Sequence, residues 1–254
     1  MKKILPVTSA FLSLALGAGA FAADSGFKSI FDGKTLSGWS GLGQYWSVKD
    51  GALTGQTTAE SAPALKANTF LVYQGAKPAN FELRVKFKLT PNNERNQANS
   101  GIQYRSRVID AATFSVGGYQ ADIDSTGRYA GMLYEERGRG IVMGPGEKVR
   151  IGATTEVPDT KKKDGKRKQT AVEKLPGATP PADILAAYKL GEWNDFVVIA
   201  NGNRLQHFLN GKLTADVTDT DATLGAKEGV IAFQLHTGPP MTVQFKDVQL
   251  KTLP

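Results

Sequence analysis

"FELRVKFKL", residues 81–89, alternates without a break: Phe81, Leu83, Val85, Phe87 and Leu89 are apolar, while Glu82, Arg84, Lys86 and Lys88 are charged. A period of two puts successive side chains on opposite faces of an extended chain, so this stretch is a strand with one core face and one wet face. The same pattern recurs in "DFVVIANG" (195–202), "RLQHFLNGK" (204–212), "GVIAFQLHTG" (229–238) and "MTVQFKDVQLK" (241–251). In "WSVKDGALTGQ" (46–56) two short strands meet at Asp50-Gly51, and Asn210-Gly211 is a second turn of that kind.

Short strands, 28 glycines for the turns and almost no helical pattern predict an antiparallel β-sandwich. The segment 145–181 is rich in Lys, Pro and Thr and weakly patterned, so it is expected to be a loop-rich insertion with little regular structure. One short helix is expected over Ala182–Tyr188. Matching strand patterns lie on both sides of the insertion, which points to a single domain over residues 27–252.

The first 22 residues read differently. Met1-Lys2-Lys3 is a basic start, Ile4–Leu16 is apolar, and Ala20 and Ala22 are small residues ahead of a cut. This is the pattern of a secretory signal peptide cleaved after Ala22. The apolar run is too short to span a bilayer, and no cysteine stands at the cut for lipid attachment. A periplasmic or secreted product without a membrane anchor is expected. The absence of cysteine removes disulfides, thiol catalysis and Cys-ligated zinc. The formal charge of +7 falls to +5 without the two leader lysines, and much of the excess sits in Lys161–Lys168. That run has no interleaved aromatics and belongs to an exported chain, so a mobile, solvated loop is expected rather than a nucleic-acid site.

The densest polar stretch is "GYQADIDSTGRYAGMLYEERGRG", 118–140. Alternation sends Tyr119, Ala121 and Ile123 to the core and Gln120, Asp122 and Asp124 to the other face. Asp124 precedes Ser125-Thr126-Gly127, a turn sequence that accounts for it structurally. If Leu133 faces the core, Met132, Tyr134 and Glu136 share the polar face and Glu135 faces away as the better-solvated acid; a slip of one residue would reverse the pair. In "NSGIQYRSR" (99–107), Ile102 and Tyr104 oppose Gln103, Arg105 and Arg107. Of the two histidines, His207 shares a face with Leu205 and Leu209 and reads as a core residue. His236 follows Ala232 and Gln234 onto the polar face, where an imidazole can move protons near neutrality. Trp39, Trp46 and Trp193 stand at strand starts, where they close a sandwich core or stack on sugars.

The segments "GFKSIFDGKTLSGW", "WSVKDGAL", "FELRVKFKL", "NSGIQYRSR", "GYQADI", "GEWNDFVVIANGNRLQHFLNG" and "QLHTGPP…VQFKDVQLK" occur in the order seen in the 3-keto-disaccharide hydrolase family. The resemblance runs from about Phe27 to Leu250 and lies in the ordered set rather than in any one motif. It implies a concanavalin A-like jelly roll whose concave sheet forms a sugar groove. It also implies cleavage of glucosides already oxidised at carbon 3 by a separate sugar dehydrogenase. A 3-ketone acidifies the hydrogen on carbon 2, so a base can remove it, the carbon 1 substituent can leave, and water can add back. Asp122, Glu136 and His236 become the acid/base candidates, and Arg105, Gln103, Gln120, Tyr134, Gln234 and Arg139 the substrate-binding candidates. No local metal-ligand spacing exists, and a divalent cation such as calcium stays open. The row Gln120-Asp122-Asp124 resembles the Glu-x-Asp-x-x-Glu strand of laminarinase-type glucanases, but Gln120 stands where their nucleophile would be, and an amide cannot form a glycosyl ester. A non-catalytic carbohydrate-binding module is the rival of another class.

Overall fold

A computed structural model describes residues 26–159, 161 and 165–254; the expected leader lies outside them. Two β-sheets face each other. The larger contains β1 (Lys28–Ser29), β3 (Trp46–Lys49), β4 (Ala52–Gln56), β6 (Phe81–Pro91), β11 (Lys148–Pro158), β12 (Lys166–Leu175), β13 (Asn194–Asn201), β14 (Arg204–Leu209), β15 (Lys212–Asp219) and β17 (Met241–Thr252). Its order is β12-β11-β15-β14-β13-β6-β17-β4-β3, with β1 also on β17. The smaller sheet runs β10 (Gly140–Met143), β9 (Leu133–Glu136), β8 (Ser115–Asp124), β7 (Asn99–Asp110), β16 (Val230–Leu235), β5 (Thr69–Tyr73) and β2 (Trp39–Ser40). All pairings are antiparallel except β11 against β15. The protein is the all-β sandwich that the alternation predicts.

β6 behaves as its sequence dictates, with Phe81, Leu83, Val85, Phe87 and Leu89 buried and the residues between them half-exposed. Its core face meets Ile102, Tyr104, Tyr119, Ala121, Leu133, Ile231 and Phe233 of the smaller sheet in one apolar cluster. Phe233 of β16 stacks on Phe245 of β17 with centroids 4.0 Å apart, joining the two layers, and Trp39 stacks on the other side of Phe233 at 5.1 Å. Trp39 and Trp46 are therefore core residues. Trp193 lies half-buried on the outer face of the larger sheet beneath Lys88 and Lys246. Asp50 (φ 50°) with Gly51 (φ 72°), and Asn210 (φ 46°) with Gly211 (φ 78°), make the two expected hairpin turns, whose left-handed pairs match strand twist.

The expectation of an irregular segment at 145–181 is corrected. It contains the hairpin β11–β12, which extends the larger sheet beyond β15. Val149 and Ile151 anchor β11 in the core, while most of the remaining hairpin is exposed on both faces, and that removes the alternation that marks a half-buried strand. Lys166, Arg167 and Lys168 are exposed strand residues rather than loop; residues 162–164 of the basic run lie outside the described residues. The short helix α1 (Pro181–Ala187) sits where one was expected. Ile184 is buried, and Leu185 and Tyr188 press against Gly127, so the helix braces the turn that follows β8.

Candidate active site on the smaller sheet

The face of the smaller sheet turned away from the core carries a row of polar side chains. Gln103 of β7 stands opposite Gln120 of β8, which stands opposite Tyr134 of β9; one step along, Gly101 pairs with Asp122. Gln234 of β16 and Glu136 of β9 lean into the same space. A cavity of about 270 Å³ forms there, lined by Gln120, Asp122, Tyr134, Glu136, Gln234 and His236 together with Asn68, Asn99, Tyr129, Met132 and Ile141. Asp122, Glu136, Gln120, Tyr134, Gln234 and His236 thus come together as the alternation predicts.

Amide groups fix the carboxyls. Ser106 Oγ donates to Gln103 Oε1 at 2.7 Å, and Gln103 Nε2 donates to Gln120 Oε1 at 2.7 Å. Gln120 Nε2 then donates to Asp122 Oδ1 at 2.7 Å, and Asn99 Nδ2 reaches Asp122 Oδ2 at 3.3 Å. Gln234 Nε2 donates to Gln120 Oε1 at 3.0 Å and to Glu136 Oε2 at 3.2 Å, and Asn68 Nδ2 approaches the same Glu136 oxygen at 3.5 Å. Gln234 Oε1 is buried without a protein partner. Gln103 is fully buried behind Gln120 and does not line the cavity, so it positions Gln120 rather than meeting a ligand. Gly101 makes room for this packing: a Cβ there would lie 2.4 Å from Gln120 Cδ.

Burial sets the protonation states. Asp122 is 4% exposed, and desolvation pushes its carboxyl up to about 7 against the lowering pull of Gln120, with Asp124 and Glu136 adding negative charge nearby. Desolvation also raises Glu136, opposed by its bonds from Asn68 and Gln234 and by Arg137. Tyr134 is raised by burial and by Glu136 and Asp122, so its hydroxyl keeps its proton. His236 is lowered by desolvation, and its Nδ1 bonds the Thr237 carbonyl. A carbonyl only accepts, so Nδ1 carries the hydrogen and Nε2 of the neutral ring is a free acceptor. Among the described residues no group of three or more His, Asp or Glu side chains gathers to hold a metal ion.

Besides Gln103, two candidates are corrected. Arg105 does not enter the groove. Its backbone adopts φ 45° at a bulge where pairing slips between Tyr104↔Tyr119 and Arg107↔Gly117. Its guanidinium donates to the carbonyls of Ala79 and Gly202 (2.8 Å from Nε and Nη1, respectively) and Ala226 (3.3 Å). Arg139 lies on the core side of the sheet, paired with Glu135 and, at 2.6 Å, with Asp219, which also accepts from Tyr119 Oη at 2.5 Å. Glu135 faces away from the groove as expected, but it is buried rather than solvated. Asp124 is turn chemistry: it accepts from the backbone N–H groups of Thr126 at 3.0 Å and Tyr129 at 2.8 Å. His207 is the expected core residue. Its Nδ1 donates to Gly131 O at 3.0 Å and its Nε2 accepts from Tyr104 Oη at 2.8 Å, while Gly131 N donates to the Asp122 carbonyl. Asn68, Asn99, Tyr129 and Ile141 are the lining residues that the alternation did not place at the site.

The sandwich has solved relatives in shape. A candidate glycosyl hydrolase from Parabacteroides distasonis ATCC 8503 superposes with a TM-score of 0.53 at 18% identity, covering 90% of this chain and 94% of that one. The carbohydrate binding module CBM66 from Bacillus subtilis gives 0.50 at 14%, covering 85% and 96%. A Bacillus subtilis protein of unknown function with a galectin-like fold gives 0.50 at 11%, covering 85% and 90%. At these identities the likeness speaks to the fold. No curated protein matches the chain. Residues 26–251, nearly all that the structure describes, match the family described as the 3-keto-alpha-glucoside-1,2-lyase-like domain, and the chain belongs to that family.

Proposed function

We propose that this protein is an exported enzyme that cleaves 3-keto-glucosides by elimination followed by hydration. The observation that carries this reading is the pairing of a neutral imidazole with a carboxyl raised to about 7 in one cavity, where an amide replaces the glycosidase nucleophile. His236 Nε2 takes the proton from carbon 2. The electrons of that C–H bond form the carbon 1–carbon 2 double bond as the glycosidic C–O bond breaks, and protonated Asp122 gives its proton to the departing oxygen. Tyr134 donates to the oxygen on carbon 3, which carries developing negative charge. Gln234 Oε1 accepts from a sugar hydroxyl, and Glu136 orients the sugar beside it. Water then adds at carbon 1, losing a proton to Asp122, and His236, its Nε2 proton exchanged with solvent after the alcohol leaves, protonates carbon 2. The products are the alcohol and the free 3-keto sugar, and both side chains regain their starting states.

A separate dehydrogenase must first install the ketone, because nothing else acidifies carbon 2. The leader-like start supports action outside the cytoplasm. The test is a comparison of a 3-keto-glucoside with its unoxidised parent. Cleavage of the keto compound alone is expected; equal cleavage of the parent would mean a conventional glycosidase, and binding without turnover of either would mean a carbohydrate-binding module.

A further inference from the structure

Beside the polar cavity lies a second one of about 370 Å³. The two share Asn99, Tyr129 and His236, so the imidazole stands where they meet. Resting on the reading above, a glucoside whose sugar fills the first cavity projects its carbon 1 substituent toward the second.

The two linings differ in what they still offer. In the second cavity most of the less exposed polar side chains are already engaged, while Gln97 and Arg128 are exposed. Asp124 is bound by Thr126 and Tyr129; Ser125 Oγ accepts from Ala98 N at 3.0 Å; Thr237 Oγ1 donates to Leu65 O at 2.5 Å. Asn99 Nδ2 already donates to Asp122 and His236 Nδ1 to Thr237. The rest of the surface is largely the Tyr129 ring, Ala98, Pro239 and Met241, with Arg128 over the Tyr129 face at 5.3 Å. A hexose seated there would bury hydroxyls with few partners, which costs binding, whereas a flat apolar group would lose nothing. The first cavity is the reverse, with a buried unpartnered acceptor at Gln234.

We infer that the second cavity is the leaving-group subsite and that it selects aromatic or apolar alcohols over a second sugar. The substrates are then 3-keto-glucosides of phenol-like aglycones rather than 3-keto-disaccharides.

Three matched substrates test this: methyl 3-keto-glucoside, which leaves the second cavity empty, the phenyl compound, and a 3-keto-disaccharide. The phenyl compound should exceed the disaccharide in kcat/KM by about tenfold or more. Ala98→Phe, which fills the cavity, should lower phenyl turnover by about tenfold and leave methyl turnover within about twofold. Gln97→Trp at the exposed rim serves if Ala98→Phe does not fold. Equal rates for phenyl and disaccharide, or an equal loss on methyl and phenyl in both variants, would overturn the inference. Saturation-transfer NMR of wild-type protein with unoxidised phenyl glucoside separates the two layers of the argument. Strong transfer to the ring protons without turnover of any keto substrate would keep the subsite and remove the enzyme reading. Transfer confined to the sugar protons would remove the subsite.

Discussion

Gln120 Nε2 donates to Asp122 Oδ1 at 2.7 Å, so an amide clamps one of the two acids of the cavity. The same amide accepts from Gln103 and Gln234, which makes it the junction of the site's hydrogen bonds. Gln120→Glu would keep the shape but replace the donor to Asp122 with a third carboxyl. We expect turnover to fall by about 100-fold or more, with no activity gained on unoxidised glucosides. Cleavage of an ordinary glucoside by this variant would restore the glucanase reading.

Gly101 pairs with Asp122 beneath the Gln120 side chain, and a Cβ there would sit 2.4 Å from Gln120 Cδ. Gln120 is almost fully buried and bonded on both sides, so it cannot yield without releasing Asp122. Gly101→Ala is expected to cost about 1–3 kcal/mol in stability from overpacking, and at least tenfold in kcat in the folded protein. Urea unfolding and single-substrate kinetics read the two effects separately.

The productive form holds His236 neutral and Asp122 protonated. His236, lowered below its ordinary 6.5, loses that form as pH falls through its pKa. Asp122 loses it as pH rises through about 7. The pH profile of kcat/KM should therefore be a bell with its alkaline limb near 7. A rate still rising at pH 8 would exclude Asp122 as the proton donor.

Asp122 also links stability to pH. Its folded pKa of about 7 lies above the ordinary 3.8, so the folded state binds the extra proton between them. Stability contributed by this group is full below about 4 and lost as pH rises through 7, by at most about 4 kcal/mol. Asp122→Asn should flatten that slope, so the variant gains on wild type between pH 4.5 and 8 in urea titrations, although its turnover is expected to fall by about 100-fold or more. An unchanged difference across that range would place the proton elsewhere.

Arg139 belongs to the core and not to the groove. Replacing it by Met leaves Glu135 and Asp219 buried without their cation, at a cost of about 3–5 kcal/mol. The folded fraction should keep its KM, which a substrate-binding arginine would not allow.

These outcomes bear on what the sequence could show. Parity placed Gln120 with Asp122, Tyr134 with Glu136 and Gln234 with His236, because these residues sit inside regular strands with one apolar face or, for His236, directly after one. Parity failed at Arg105, where a bulge with positive φ inserts an unpaired step that no local residue announces. Parity gave no side for Arg139, which follows Arg137 (φ 54°) past the end of β9 and pairs with Glu135. Asn99 was within reach, since it shares parity with Gly101 and Gln103. Asn68 and Tyr129 were not, because they come from loops that only the folded sandwich carries to the cavity. The β11–β12 hairpin was hidden by its exposure on both faces, which leaves no period to detect.

The central claim is proton removal from carbon 2, and solvent exchange reads it most directly. Turnover of a 3-keto-glucoside in deuterated water, followed by NMR, should give a 3-keto sugar carrying deuterium at carbon 2, with the label absent in His236→Ala. Cleavage that leaves the carbon 2 hydrogen in place would contradict elimination and require direct displacement at carbon 1.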